Sequence, residues 1–357
     1  MAPRVSFIVP CYRLAHLLRE CVDSILSQTF EDLEVLIMDD CSPDDTRAVA
    51  ASFRDARVRC VRNEPNLGHL RNYNKGIALA SGDYVWLISA DDRLRRPYVL
   101  ERFVQTLDAH PDAGYVFCPA MKFQGVKDTV PFGGQGDADM VFAGHDFLRT
   151  LAAGNSIPAP SGMVRRSCYE RISVFPLDLP FAGDWYLWSI FALWTNVAYL
   201  AEPMVSYRVH TANMTLDFKQ RADALIDDEL NVLWRMKVHA AAAGMNDVAR
   251  IYADSLAWSY ATRVAFKISR DWPYGMSIGA FERSISEHCA TRTEAAAIRS
   301  TTYGFLADQY HESGNAPRAR EWYRAALRQR PADLTTVLKY LVASAGPLGR
   351  RVRELVH

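Results

Sequence analysis

The residues best equipped for chemistry are carboxylates that come in adjacent pairs. Asp39 and Asp40 close "LEVLIMDD", and Asp91 and Asp92 close "YVWLISADD". Each pair ends an almost unbroken apolar run, which reads as a strand covered on both faces, as in a parallel sheet. Two adjacent anions at the mouth of such a strand are costly unless something positive faces them. A divalent cation with hard oxygen ligands, Mg²⁺ or Mn²⁺, would meet that need. A further acid, Asp184 in "LPFAGDWYLW", opens a helix whose macrodipole favours its ionised form. Capping of the following helices is the alternative use for such residues. It suits Ser42 and Asp44 well and Asp91–Asp92 poorly.

The elements that must position these groups alternate regularly over the first hundred residues. "RVSFIVP", "LEVLIMDD", "VRCVRN" and "DYVWLIS" read as strands. Between them, "AHLLRECVDSILSQ", "SPDDTRAVAASFR" (Ser42 as candidate N-cap) and "GHLRNYNKGIALAS" read as helices. Such alternation predicts a doubly wound sheet that binds ligands at the carboxyl ends of its strands. Pro10, Tyr12, Asp39, Asp40, Asp91 and Asp92 all fall at that edge. Beyond it, "AGYVFCPA" and "VAYLAEPMVSYRVH" read as strands, "SGMVRRSCYERI" as strand and helix, and "GDWYLWSIFALW" as helix. The glycine-rich "FGGQGDAD" lacks the strand-to-helix setting of a phosphate loop and reads as a flexible surface loop.

After about Asp217 the pattern is helical. The stretch from Thr301 to Ser344 resembles one tetratricopeptide helix pair with "ESGN" as its turn, and one repeat cannot build a solenoid. From Asn315 onward there are nine Arg/Lys against three Asp/Glu. The 357 residues as a whole carry 41 basic and 41 acidic side chains, so no bulk field favours nucleic acid. Seven scattered cysteines, none in C-x-x-C spacing, argue against a disulfide framework or zinc ribbon and for a reducing compartment. No apolar leader precedes the first strand, and "WYLWSIFALWTNVAYLA" is too short and interrupted to span a bilayer. A soluble, cytoplasmic protein is expected.

The stretch "VSFIVPCYRLAHLLRECVDSILSQTFEDLEVLIMDDCSPDDT", with "NLGHLRNYNKGI", "ISADD" and "YRVHTANMT" in order behind it, resembles family 2 of the inverting glycosyltransferases. The resemblance implies an α/β fold of the A-type glycosyltransferase class, a mostly parallel sheet flanked by helices. It covers about residues 4 to 216, giving a nucleotide-sugar-binding domain over 1–216 and a helical C-terminal region over 217–357. By resemblance Tyr12 stacks on the nucleotide base, Pro10 shapes its pocket and Asp40 accepts the base N3–H. Asp39 supports the turn. Arg71 and Asn74 fall in the next wall of the donor site, where many members have an Arg–Asn pair in place of Tyr73–Asn74. Asp92 binds the metal, and Asp91 holds the ribose or shares the metal. Ser89 stands where many members have a further Asp, which leaves the division of labour between Asp91 and Asp92 open. Asp184 is the expected base, with Asp178 as competitor, and His210 approaches the diphosphate or metal.

The implied reaction is metal-dependent transfer from a UDP- or dTDP-sugar to a saccharide, lipid-linked or small-molecule acceptor. A sugar nucleotidyltransferase is the alternative enzyme, although its glycine-rich activating loop is missing. A non-catalytic transferase-like scaffold is the alternative outside enzymes. The basic C-terminus beside the apolar "LTTVLKYLVASAG" suggests peripheral contact with anionic lipid, against plain packing of that face. Homo-oligomerisation stays open.

Overall fold

Residues Val5–Cys11, buried along their whole length, form β1. β1 pairs in parallel with β2 (Leu33–Asp39) on one side and β4 (Tyr84–Leu87) on the other, and β3 (Val58–Arg62) extends the sheet beyond β2. The structure is a computed structural model that describes residues 2–124, 127–211, 213, 222–271, 273 and 275–344. Beyond β4 the sheet continues through β10 (Gly162–Arg165), β6 (Ala113–Phe117), β11 (Asn196–Tyr199) and β9 (Met140–Phe142). β10 runs antiparallel to both its neighbours, so the parallel part that carries the acidic pairs is β3-β2-β1-β4. A second sheet has the order β5 (Arg93–Leu94), β12 (Val205–Arg208), β7 (Ala120–Gln124), β8 (Lys127–Phe132).

The helices cover the sheet through stripes at helical spacing. In α1 (Ala15–Leu26) the buried face is Leu18, Cys21, Val22 and Ile25. In α3 (His69–Leu79) it is Leu70, Asn72, Gly76 and Ile77. Gly76 permits a close approach, since a Cβ there would lie 2.6 Å from Ile8 Cγ2. The remaining helices of this unit are α2 (Thr46–Ser52), α4 (Val99–Ala109), α5 (Gly144–Ala152), α6 (Arg166–Arg171) and α7 (Gly183–Trp194).

Two sequence expectations are corrected. "AGYVFCPA" and "VAYLAEPMVSYRVH" are each divided between the two sheets, and both breaks contain a proline (Pro119, Pro203) that cannot donate to a ladder. Ser42 does not cap α2. Its hydroxyl accepts the Arg13 N–H (3.2 Å), while Asp44 Oδ1 accepts the Thr46 N–H (3.2 Å). The glycine-rich stretch between β8 and β9 lies mostly at the surface and makes bonds to the neighbouring elements. Gly136 O accepts the Tyr199 hydroxyl (2.9 Å), and Asp139 accepts Ala201 N–H and pairs with Arg102.

The chain divides into two compact units, Met1–Asp217 and Phe218–His357. The second is built of α8 (Ala222–Ala242), α9 (Asn246–Arg270), α10 (Ile278–His288), α11 (Arg292–Glu312), α12 (Ala316–Gln329) and α13 (Leu334–Ser344). Ala307, Ala319, Tyr323 and Ala343 form the small core that α11, α12 and α13 share. The basic "GPLGRRVREL" lies outside the described residues. All seven cysteines are free, and among the described residues no helix is long and apolar enough to cross a membrane.

Candidate active site

The carboxyl ends of β2, β1 and β4 lie side by side, and backbone bonds continue the pairing beyond them. Asp40 donates its N–H to Cys11 O (3.0 Å), and Ala90 donates to Pro10 O (3.2 Å). Three strands therefore deliver their turns to one edge. Tyr12, 43% exposed, shows a ring face there, with the Arg13 guanidinium 5.1 Å from its centroid.

Asp39 and Asp40 are both buried and do different work. Asp39 Oδ1 accepts the Ser42 N–H (2.8 Å), and its other oxygen pairs with Arg62. It holds the turn. Asp40 Oδ1 accepts from Asn63 Nδ2 (2.9 Å) and Leu67 N (2.8 Å), and Oδ2 accepts from Gly68 N (3.0 Å). A carboxylate has about four acceptor positions, so one remains on Oδ2. Asn63 is held in turn by Lys75 Nζ on its oxygen (2.7 Å) and Asn72 Oδ1 on its amide (2.7 Å). The carboxylate is thus fixed in direction. Gly68, the N-cap of α3, adopts φ 79°, a conformation that favours glycine.

The second acidic pair is locked by a residue far away in sequence. Arg208 on β12 donates its N–H to Asp92 Oδ1 (2.9 Å) and its Nε–H to Asp91 O (2.9 Å). Its guanidinium also pairs with Glu20 of α1, which pairs with Arg93 as well. Both guanidinium groups lie over the ring of buried Phe123, at 4.3 and 4.6 Å. His210 Nε2 is 2.9 Å from Asp91 Oδ2. Burial, then the neighbouring Asp91, pushes the Asp92 carboxyl well above the usual carboxylate range. Ser89 contributes its backbone oxygen to the turn, accepting the Asp92 N–H (3.0 Å).

Two observations bear on a metal. Asp91 Oδ1 is buried and has no hydrogen-bond partner, an expensive arrangement for an anion with nothing else to face. Among the described residues no three His, Cys, Asp or Glu side chains are grouped to hold a metal ion. An all-protein cage is therefore absent among them, and a cation at this turn would take oxygens of Asp91 and Asp92 and be completed by substrate phosphates and water.

Asp184 begins α7. Its Oδ1 accepts the Trp185 N–H (2.7 Å) and its Oδ2 the Asn155 amide (3.0 Å). Burial raises its carboxyl above the usual range despite these bonds. Tyr73 connects the groups in space. Its phenol is pushed up by burial and then by Asp91, Asp184 and Asp92 in turn, so all three carboxylates lie within electrostatic reach of one hydroxyl. Asp178 is exposed on the preceding loop.

Arg71 is exposed on α3. Asn74 donates to Phe175 O (2.8 Å) and accepts from Phe175 N (3.0 Å). Each end of its amide thus makes one bond to that loop. Glu20, Arg208, Lys75, Asn63 and Tyr73 were not singled out by sequence reasoning. All five lay inside stretches already marked, and Arg208, the last residue of β12, stands two before His210, but nothing local gave any of them a role.

The family described as Glycosyl transferase family 2 matches residues 6–162. A Haemophilus influenzae protein described as an uncharacterized glycosyltransferase is 28% identical over 215 residues, 58% of this chain and 66% of that protein. The glycosyltransferase GlyG of Streptococcus pneumoniae is 34% identical over 187 residues, 52% of each chain. The matched part thus spans about two thirds and about half of these relatives. Among solved structures, S. aureus TarS 1–349 in complex with UDP aligns with a TM-score of 0.60 at 16% identity, covering 95% of this chain and 90% of that one. The mannosyltransferase of Pyrobaculum calidifontis in complex with GDP-Man and Mn²⁺ aligns at 0.50 and 19% identity, covering 88% and 87%. At these identities the structural likeness establishes the fold.

Proposed function

We propose that this chain, whose residues 6–162 match the Glycosyl transferase family 2 model, is an inverting, metal-dependent transferase acting on a UDP- or dTDP-sugar. Its acceptor is a hydroxyl of a glycan, of a lipid-linked intermediate or of a small molecule, in the setting of polysaccharide biosynthesis. The observation that carries the reading is the buried, unpartnered Asp91 Oδ1 beside Asp92, on the edge that also presents Tyr12 and Asp40. UDP in the TarS structure, and GDP-Man with Mn²⁺ in the mannosyltransferase, support a nucleotide-sugar donor and a divalent cation.

In this reading the Tyr12 ring stacks on the base and Pro10 backs the pocket. The remaining acceptor position on Asp40 takes the N3–H of uracil or thymine. Arg71 approaches the diphosphate from α3. Asp92 and Asp91, with His210, hold Mg²⁺ or Mn²⁺, which supplies charge neutralisation of the departing nucleoside diphosphate when bound. Asp184 accepts the proton of the acceptor hydroxyl. The new oxygen–anomeric carbon bond forms on the face opposite the one where the bond to phosphate breaks, and the anomeric configuration inverts.

A cytoplasmic, membrane-peripheral location is part of the proposal. Leu334, Leu338 and Leu341 are 80%, 62% and 56% exposed at helical spacing along α13, and Arg328 and Arg330 are exposed just before it. An apolar stripe with basic flanks suits anionic lipid. The donor site is tested by calorimetry with UDP and Mn²⁺. Binding should depend on the metal and be strongly weakened in Asp92→Asn with the fold intact; unchanged affinity in that variant would contradict the assignment.

A further inference from the structure

The helix that walls the nucleotide pocket also grips the loop that delivers the expected base. One face of α3 serves the pocket. Leu67 and Gly68, at its N-terminal end, donate to Asp40, and Asn72 and Lys75 bind Asn63. The other face holds residues 175–183. Asn74 makes its two bonds to the Phe175 backbone, and His69 Nε2 lies 2.9 Å from Pro180 O. The Tyr73 ring stands edge-on to both Phe175 (5.4 Å) and His69 (5.6 Å). Gly183, immediately before Asp184, packs between Phe175 and Leu70, since a Cβ there would lie 3.3 and 3.6 Å from their side chains. His69, Tyr73 and Asn74 sit at positions i, i+4 and i+5, so one turn-and-a-bit of helix spans the loop.

We propose that Asn74 is a positioning residue for Asp184, acting through Phe175, and that α3 is the strut that sets the base against the bound donor. This rests on the reading of Asp184 as the base. A connecting loop has many conformations to choose from, and a single amide engaged in both directions removes one residue's freedom at the place where the chain turns toward α7. The donor pocket does not depend on that bond, because Asp40 and Asn63 are held from the opposite face of the helix. Loss of the clamp should therefore move the base and leave nucleotide affinity alone.

The test is Asn74→Ala in the full chain, with UDP and Mn²⁺ for binding and the UDP-sugar that wild type turns over fastest for catalysis. The expected result is a kcat lowered about 10- to 100-fold, the scale of a small misplacement of a reacting group. The donor KM and the UDP Kd should stay within about twofold, the margin that separates loss of a transition-state interaction from loss of uniform binding. Amide hydrogen exchange at Phe175 should rise. Asn74→Asp, which keeps the acceptor for Phe175 N–H and loses the donor, should fall between wild type and Asn74→Ala, and it carries the test if Asn74→Ala fails to fold. A parallel loss of UDP affinity would make Asn74 a donor contact and overturn the proposal. So would wild-type kcat in a variant whose Phe175 amide exchanges freely. If wild type turns over no donor, the functional reading itself fails and the positioning role falls with it.

Discussion

Asp184 has two environments to answer to, a helix N-terminus that favours its anion and a burial that disfavours it, and burial prevails. Only the ionised carboxylate can accept a proton. Turnover should therefore fall as pH drops through the raised value, placing the acid limb of kcat/KM above the ordinary Asp range near pH 4. A limb at the ordinary position would argue that some other group is the base. Asp40 makes a second residue-scale prediction. Its remaining acceptor position matches uracil N3–H, whereas cytosine N3 would place a lone pair against the carboxylate. UDP should outcompete CDP by about 1–3 kcal/mol, the cost of an unsatisfied buried acceptor; equal competition would refute the pairing. Tyr12, Asp40, Asp91 and Asp92 drew notice in the sequence because acids or an aromatic directly after apolar runs are local signals, and Asp184 because it opens an apolar helix. The partners of Asn74 and Arg208 were not legible, because they lie 101 and 188 residues away and only the folded chain brings them together.

At the scale of elements, the strand–helix alternation through β4 was readable from periodicity alone. The breaks that send β7 and β12 into the second sheet were not. A proline between two apolar runs marks a weak point but does not say which sheet receives the second run. That second sheet matters, since β12 brings Arg208 and His210 to the acidic turn. Arg208→Lys keeps a charge but cannot reproduce the guanidinium's several directed bonds. It should weaken metal-dependent UDP binding while leaving the melting temperature little changed; unaltered binding would show that β12 is not needed to hold the turn. The seating of α3 makes a separate prediction. In Gly76→Ala the new methyl would meet Ile8, which is fully buried and has nowhere to move. The variant should lose about 1–3 kcal/mol in urea unfolding, the usual range for overpacking. A neutral result would mean that α3 can lift from the sheet without cost.

Across the whole molecule the two units carry different problems. The first contains every group assigned to the donor and the base, and the second carries an exposed leucine stripe on α13, preceded by exposed arginines. The full chain should cosediment with anionic vesicles at low salt and release as salt rises, each cation near the surface contributing about 1 kcal/mol. Leu338→Asp should reduce that binding; no binding at low salt would leave α13 a packing surface. The central claim concerns the reaction, and donor turnover tests it most directly. Purified chain with Mn²⁺ is offered a panel of UDP-, dTDP- and GDP-sugars, and released phosphates are identified. The account predicts free UDP or dTDP from wild type, with turnover lowered about 10²-fold or more in Asp184→Asn although that variant still binds UDP. Release of pyrophosphate, or an Asp184→Asn variant with near-normal turnover, would contradict it.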